Sequence, residues 1–158
     1  MTVDLDTRQQ IVELNAAYAA CLDDGRYDEW PAFFVDDGWY RIVARENYER
    51  GLPLSILSLK GVPMMKDRIY GISSTIFHAP YYQTHIIGPS IITAGDDGQY
   101  NVTSSYVVYR TKRDMTPDVL SVGKFLDVVD RRDGKFKFRR KFCIFDNDTI
   151  PNSIIYPI

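Results

Sequence analysis

The chain has 158 residues, room for one ordinary core, and its 45% hydrophobic and 13% aromatic content excludes disorder. Its 19 Lys and Arg against 21 Asp and Glu leave a formal charge of −2, without the basic footprint that grips a phosphate backbone, so nucleic acid is excluded as a partner. The first residues carry Asp4 and Asp6 with no apolar stretch, and no later run approaches membrane-spanning length, so a cytoplasmic protein without a membrane partner is expected.

Thr7 followed by Gln10 reads as a capping box, and Ile11, Leu14, Tyr18 and Cys21 recur at helical spacing until Asp23-Asp24-Gly25 supplies a stop. Asp28 is placed to cap a second, short helix with Pro31 in its first turn and an apolar face of Trp30, Phe33 and Phe34. From Gly38 the period falls to two: Tyr40, Ile42 and Ala44 share one face of a strand, Trp39 and Val43 the other. After Gly51-Leu52-Pro53 an apolar run passes through Ile56, Leu57 and Leu59. Gly61 and Pro63 then open a third helix with Met65, Ile69 and Ile72 on one side. Arg68 shares a broad face with Met65 and Ile72, so it is expected to be partly buried against a carboxylate or a backbone carbonyl.

The remainder reads as four antiparallel strands, near residues 83–94, 99–112, 119–130 and 135–145. They are joined by turns at Gly95-Asp96-Asp97-Gly98, Asp114-Met115-Thr116-Pro117-Asp118 and Arg131-Arg132-Asp133-Gly134. Strands that long must curl, and Gly88-Pro89 inside the first marks a bulge that helps them do so. Helices first and a curved meander last is an α+β pattern. The expected architecture is a single domain over residues 1–158, a long, curved, cone-shaped antiparallel sheet packed on about three helices.

Cys21 and Cys143 lie far apart with no metal-ligand spacing and read as buried free thiols; His78 and His85 offer no known ligand pair, so neither a metal nor a cofactor is expected in this chain. A curved sheet closed by helices makes a pocket that His85, Tyr40, Tyr18, Tyr106 and Asp28 are placed to line as base, acid and orienting groups, as an isomerase or dehydratase requires. The competing reading is that the tyrosines fill the cone and their hydroxyls find backbone partners. In Lys135-Phe136-Lys137-Phe138-Arg139-Arg140-Lys141-Phe142, strand alternation sets the lysines opposite the phenylalanines as a solvated face. Arg140 is expected on the phenylalanine side, in need of a partner inside or on a neighbouring chain. The apolar tail, with Ile154, Ile155, Tyr156 and Ile158, must dock on its own chain or on a partner subunit. Arg140 and these four residues are the expected subunit interface.

Several segments together resemble the small (beta) subunits of Rieske-type aromatic-ring-hydroxylating oxygenases. They are Trp30-Pro31-Ala32-Phe33-Phe34; Tyr40-Arg41-Ile42-Val43 with Arg45, Asn47 and Gly51-Leu52-Pro53-Leu54; and Met64-Met65-Lys66-Asp67-Arg68-Ile69. Thr84-His85, Gly123-Lys124-Phe125-Leu126-Asp127, and Asp133-Gly134 before a last strand ending at Asp146 complete the set. The order agrees along nearly the whole chain; departures from the commoner pattern fall at Ser58-Leu59-Lys60 and Gln83-Thr84.

The resemblance implies the nuclear-transport-factor-like cone fold, also that of ketosteroid isomerase and scytalone dehydratase. It further implies a non-catalytic subunit of an α3β3 hexamer whose large (alpha) subunit holds a 2Fe–2S Rieske cluster and a mononuclear Fe(II). Electrons would come through a reductase or ferredoxin, and the substrate would be an aromatic carboxylate. A stand-alone, cofactor-free isomerase or dehydratase using His85 with Tyr40 and Asp28 is the alternative the same fold admits.

Overall fold

In the computed structural model, which describes residues 2–151 and 153–158, the first helix, α1 (Leu5–Asp23), starts ahead of the expected Thr7 box. Asp4 is its cap: the carboxylate accepts the Thr7 N–H at 2.9 Å, satisfying one of the amides a first turn leaves open. Ile11, Tyr18 and Cys21 are fully buried along one side. The helix ends where Gly25 takes a φ of +70°, a left-handed conformation glycine adopts without strain. The second expected helix is a 3-10 helix, Tyr27–Phe33, entered at Arg26 without a side-chain cap, and Asp28 lies exposed on it instead of capping it.

Phe34 already belongs to β1 (Phe34–Ala44). A short helix that the sequence did not signal, α2 (Arg45–Glu49), follows it. Then come β2 (Leu57–Lys60) and α3 (Val62–Ser74), with Pro63 in the first turn and Met65, Ile69 and Ile72 buried. Arg68 is half-buried as expected, its guanidinium donating to the Ile155 carbonyl at 2.9 Å.

The C-terminal half supplies β3 (Tyr81–Ile87), β4 (Ile91–Ala94), β5 (Tyr100–Lys112), β6 (Asp118–Arg132) and β7 (Lys135–Phe145). The sheet order is β2-β1-β7-β6-β5-β3, with β4 also on β5. The meander is antiparallel, but β1 lies parallel to β7, so the sheet is mixed and its first strand closes on its last. The expected strand at 83–94 is split. Both halves pair with β5, and the register steps from Ile87↔Tyr106 to Ile91↔Thr103, leaving an extra residue on the β3–β4 side. Gly88-Pro89 is therefore a bulge that interrupts the strand, since Pro89 has no N–H with which to continue a ladder. Asp133 and Gly134 both have positive φ, 51° and 76°, which is the hairpin turn their sequence requires.

One residue changes which side chains of β7 point inward. Val128 pairs with Arg140 but Val129 pairs with Phe138, so Arg139 is an extra, bulged residue and the alternation inverts there. Phe136 and Phe138 face the helices before the bulge; Lys141, Cys143 and Phe145 face them after it. Arg140 is thus not on the Phe136 and Phe138 face but on the outer face, beside Phe142 and Ile144. Lys141, expected in solvent, is fully buried.

The main core lies between the inner face of the sheet and α1, the 3-10 helix and α3. A second, small cluster of Val43, Phe142 and Ile144 sits on the outer face with Trp39 and Tyr48, so α2 packs on the side the sequence reading left without a helix.

Candidate functional site

The cone's interior is occupied by the chain's own C-terminal segment. Ile158 has no exposed surface, and its backbone oxygen accepts hydrogen bonds from the Tyr18 hydroxyl at 2.6 Å and the Tyr40 hydroxyl at 3.0 Å. The Tyr40 oxygen in turn accepts the Ile158 N–H at 2.8 Å. Farther out, the Tyr81 hydroxyl accepts the N–H of Ile155 at 3.3 Å and of Tyr156 at 3.4 Å. Arg110 donates to the Pro151 carbonyl. The Tyr156 ring stacks on Tyr27 with centroids 4.6 Å apart, and its hydroxyl lies 2.8 Å from His78 Nε2. Of the two docking places open to the tail, its own chain holds Ile154, Tyr156 and Ile158 in the interior. Ile155 and Arg140 are the expected interface residues that keep exposed surface.

These contacts fix what the tyrosines do. Burial raises the pKa of Tyr18 and of Tyr40 well above the ordinary phenol value, so both stay protonated and serve as hydrogen-bond donors to the tail. Tyr106 is likewise held up by burial; its ring stacks on Phe125 at 4.1 Å and its hydroxyl pairs with Ser121 at 2.8 Å. Tyr18→Phe and Tyr40→Phe are each expected to lower stability by about 1 kcal/mol, since the first removes one of the two hydroxyl donors to the Ile158 oxygen and the second also strands the Ile158 N–H. Thermal melts of the isolated chain check this, and unchanged melting temperatures in both would show that the tail is not held by these hydroxyls.

His85 does find a carboxylate, but it belongs to Asp23 and not Asp28. Asp23 is the last residue of α1; its carboxylate accepts the His85 backbone N–H at 2.9 Å and lies 2.6 Å from Nδ1. A carboxylate there accepts a proton carried on Nδ1. Nε2 is buried without a hydrogen-bond partner and the side chain has no exposed surface, behind a groove that His85 lines together with Asn15, Ala19, Ile87 and Ser90. The pair closes the edge of β3 onto the end of α1. Tyr18 lies 6.5 Å away, ring to ring, while Tyr40 is engaged with Ile158. The structure therefore does not bring His85, Tyr40 and Asp28 together around an open pocket.

The most unusual group in the cone is one the sequence reading placed outside it. Lys141 and Asp127 both lie on inward positions with wholly buried side chains, paired at 3.0 Å. The ammonium also sits 3.9 Å from the Phe125 ring centroid, 4.4 Å from that of Phe138 and 4.5 Å from that of Tyr18, a three-ring cage favourable to a desolvated cation. Burial pushes the Asp127 carboxyl up to about 6, against the pull of Lys141. Burial also pushes the Cys143 thiol up to about 12, which makes it an inert core residue, and Cys21 is buried and free as well. Asp127 stands two residues from Phe125 on the same strand face, which is the signal that marks it as an inward carboxylate.

Among the described residues no group of three or more His, Cys, Asp or Glu is arranged to hold a metal ion. His78 and His85 are committed to Tyr156 and Asp23. No helix among them is long and apolar enough to cross a membrane.

Comparison with known proteins gives this geometry a family. The SnoaL-like domain family matches residues 3–141. The anthranilate 1,2-dioxygenase small subunit of Burkholderia cepacia is 29% identical over 100% of this chain and 98% of its own. Subunit beta 1 of the terminal oxygenase component of the Comamonas terephthalate 1,2-dioxygenase is 28% identical over 94% and 97%. A solved structure from Novosphingobium aromaticivorans, described as the beta subunit of an aromatic-ring-hydroxylating dioxygenase, is 33% identical. It superposes with a TM-score of 0.87 over 96% of this chain and 97% of that one.

Proposed function

This chain belongs to the SnoaL-like domain family, among the small or beta subunits of aromatic-ring-hydroxylating dioxygenases, and from that premise we propose that it is the non-catalytic small subunit of such an enzyme. The observation that carries the non-catalytic part is the filled cone. Ile158 occupies its interior, the hydroxyls of Tyr18 and Tyr40 are spent on it, and the His85 side chain is buried with its Nδ1 held by Asp23. A site of proton transfer needs a base within reach of a substrate, and this interior admits none.

In this reading a large alpha subunit holds the 2Fe–2S Rieske cluster and the mononuclear Fe(II), receives electrons through a reductase or ferredoxin, and assembles with this chain as α3β3 in the cytoplasm. The substrate class is an aromatic carboxylate, supported by likeness to the anthranilate and terephthalate dioxygenase subunits.

Expression of the chain alone and with its large subunit tests the proposal. The isolated chain is expected to be colourless and iron-free, and the pair to co-purify with the visible absorption of a Rieske protein. His85→Ala is expected to leave turnover per assembled complex unchanged. Stoichiometric iron in the isolated chain, isomerase or dehydratase activity lost in His85→Ala, or a wild-type chain that does not bind the large subunit would each sink the reading.

A further inference from the structure

Outside the filled cone, α1 has a second side. Ile11, Tyr18 and Cys21 face the core, while Val12, Ala16 and Ala19, each about one turn from the next, face away from it. Opposite them runs the chain from His85 through the Gly88-Pro89 bulge to Ser90, and the two walls enclose a groove of about 530 Å³. Small residues make the room: Gly88 has no side chain, and Ala16 and Ala19 carry a methyl group each.

The walls of this groove are apolar and its floor is polar. Asn15, 3% exposed, has no hydrogen-bond partner for Oδ1 among the described residues, and its Nδ2 reaches the Ser90 hydroxyl only at 3.5 Å. Ser90 is held more closely by the Ser104 hydroxyl, at 2.8 Å. His85, 7% exposed, also lines the groove and leaves Nε2 without a partner among the described residues. Buried polar atoms in folded chains are nearly all paired, so two such side chains at one concavity mark a place where a ligand supplies the missing bonds.

The chemistry of that ligand follows from what is left open. An amide oxygen is an acceptor, so the ligand brings an O–H or N–H to it. Among the described residues no Lys or Arg lines the groove, and the Asp23 carboxylate stands 2.6 Å from His85 Nδ1, so an anion meets no counter-charge there. Val12, Ala16, Ile87 and Pro89 offer apolar contact to the rest of the molecule. The volume lies within the ~300–1,000 Å³ of clefts that take small organic molecules.

We propose that the groove between α1 and the Gly88-Pro89 bulge is a binding site for a small neutral molecule of the phenol class, with an apolar body against Ala16 and Ile87 and an O–H or N–H given to Asn15 Oδ1. The site is complete within this chain, so the proposal does not rest on the small-subunit assignment, and its ligand is distinct in charge from an aromatic carboxylate substrate.

Titration of the full chain with phenol, followed by amide chemical shifts, tests it. Saturable shifts are expected at residues 12–19 and 85–90, with a dissociation constant of about 1 mM or tighter. Benzene, without a donor, and benzoate, an anion, should each bind about tenfold more weakly or not at all. Asn15→Leu should bring phenol down to the level of benzene while keeping the melting temperature near wild type, because Ser90 retains Ser104. Ala19→Phe should block the groove; if it lowers the melting temperature, Ala16→Phe at an exposed position replaces it. Absence of saturable shifts at these residues up to about 10 mM phenol would overturn the proposal, as a groove that only water fills. Equal binding of phenol and benzene, or wild-type binding by Asn15→Leu and the blocking variant, would overturn it too. So would loss of phenol binding when the chain is assembled with its large subunit, which would assign the groove to a subunit contact.

Discussion

Replacing Lys141 by Met is expected to destabilise the chain by about 3–5 kcal/mol at neutral pH, among the largest effects of any single substitution here. The cost is not the loss of an attractive contact but the carboxylate left behind. Asp127 has no exposed side-chain surface, its Oδ1 has no hydrogen-bond partner, and among the described residues Lys141 is the one cation paired with it. The double variant Lys141→Met/Asp127→Leu removes both charges and keeps the volume apolar, so it should recover most of the loss. Chemical denaturation of the two single variants, the double variant and the wild type checks this. A double variant no more stable than Lys141→Met would show that the ammonium in its ring cage matters for its own sake and not as a counter-charge.

The same pair predicts a pH dependence of definite sign. The Asp127 carboxyl titrates at about 6 in the folded chain against 3.8 for the free group, so the folded state binds this proton more tightly across that interval. Its contribution to stability is present below the unfolded value and is lost as pH rises through about 6. Lys141→Met must therefore be less damaging at acid pH, where Asp127 is protonated and needs no counter-charge, than at pH 8. Equal losses at both ends of the range would mean that Asp127 does not take up a proton in the variant.

What the sequence could and could not reveal follows from the range of each interaction. Spacing along one element was readable: Ile11, Tyr18 and Cys21 on α1, Met65, Ile69 and Ile72 on α3, and the Asp133-Gly134 turn all lie where their local pattern puts them. The helix-then-meander order was enough for the α+β cone. Local reading failed where a non-local event resets the pattern. The bulge at Arg139 depends on how β7 meets β6, and it exchanged the faces of Arg140 and Lys141. Asp23 reads locally as part of a helix stop, and nothing near it in sequence says that it is also the cap of a strand edge 62 residues away, where it takes the His85 N–H and meets Nδ1. The tail was legible as apolar, and its place inside the cone was one of two left open. No local signal says that Tyr18 and Tyr40, each on a different element, converge on the same oxygen of Ile158.

Gly123→Ala is expected to cost at least ~3 kcal/mol and to abolish folding in any background already weakened, because overpacking against backbone cannot relax through a rotamer change. A Cβ built at this position would lie 1.9 Å from the Ile144 carbonyl oxygen and 2.9 Å from Phe145 Cα, atoms of the neighbouring strand. To make room, β6 and β7 must separate at the Gly123↔Phe145 pair, and that breaks the ladder beside Phe125. Phe125 carries the stack with Tyr106 on one side and the Lys141 ammonium on the other, so the displacement propagates into the ion pair. The contrast is Gly98→Ala, where nothing lies within 4 Å and the whole penalty is a left-handed φ of +74°, worth ~1–2 kcal/mol for a residue with a side chain. Melting temperatures of the two variants should differ in that order. If Gly123→Ala melts with Gly98→Ala or above it, the close approach of β6 to β7 is not a constraint on the fold, and the Gly123 to Asp127 segment must owe its sequence to something other than packing.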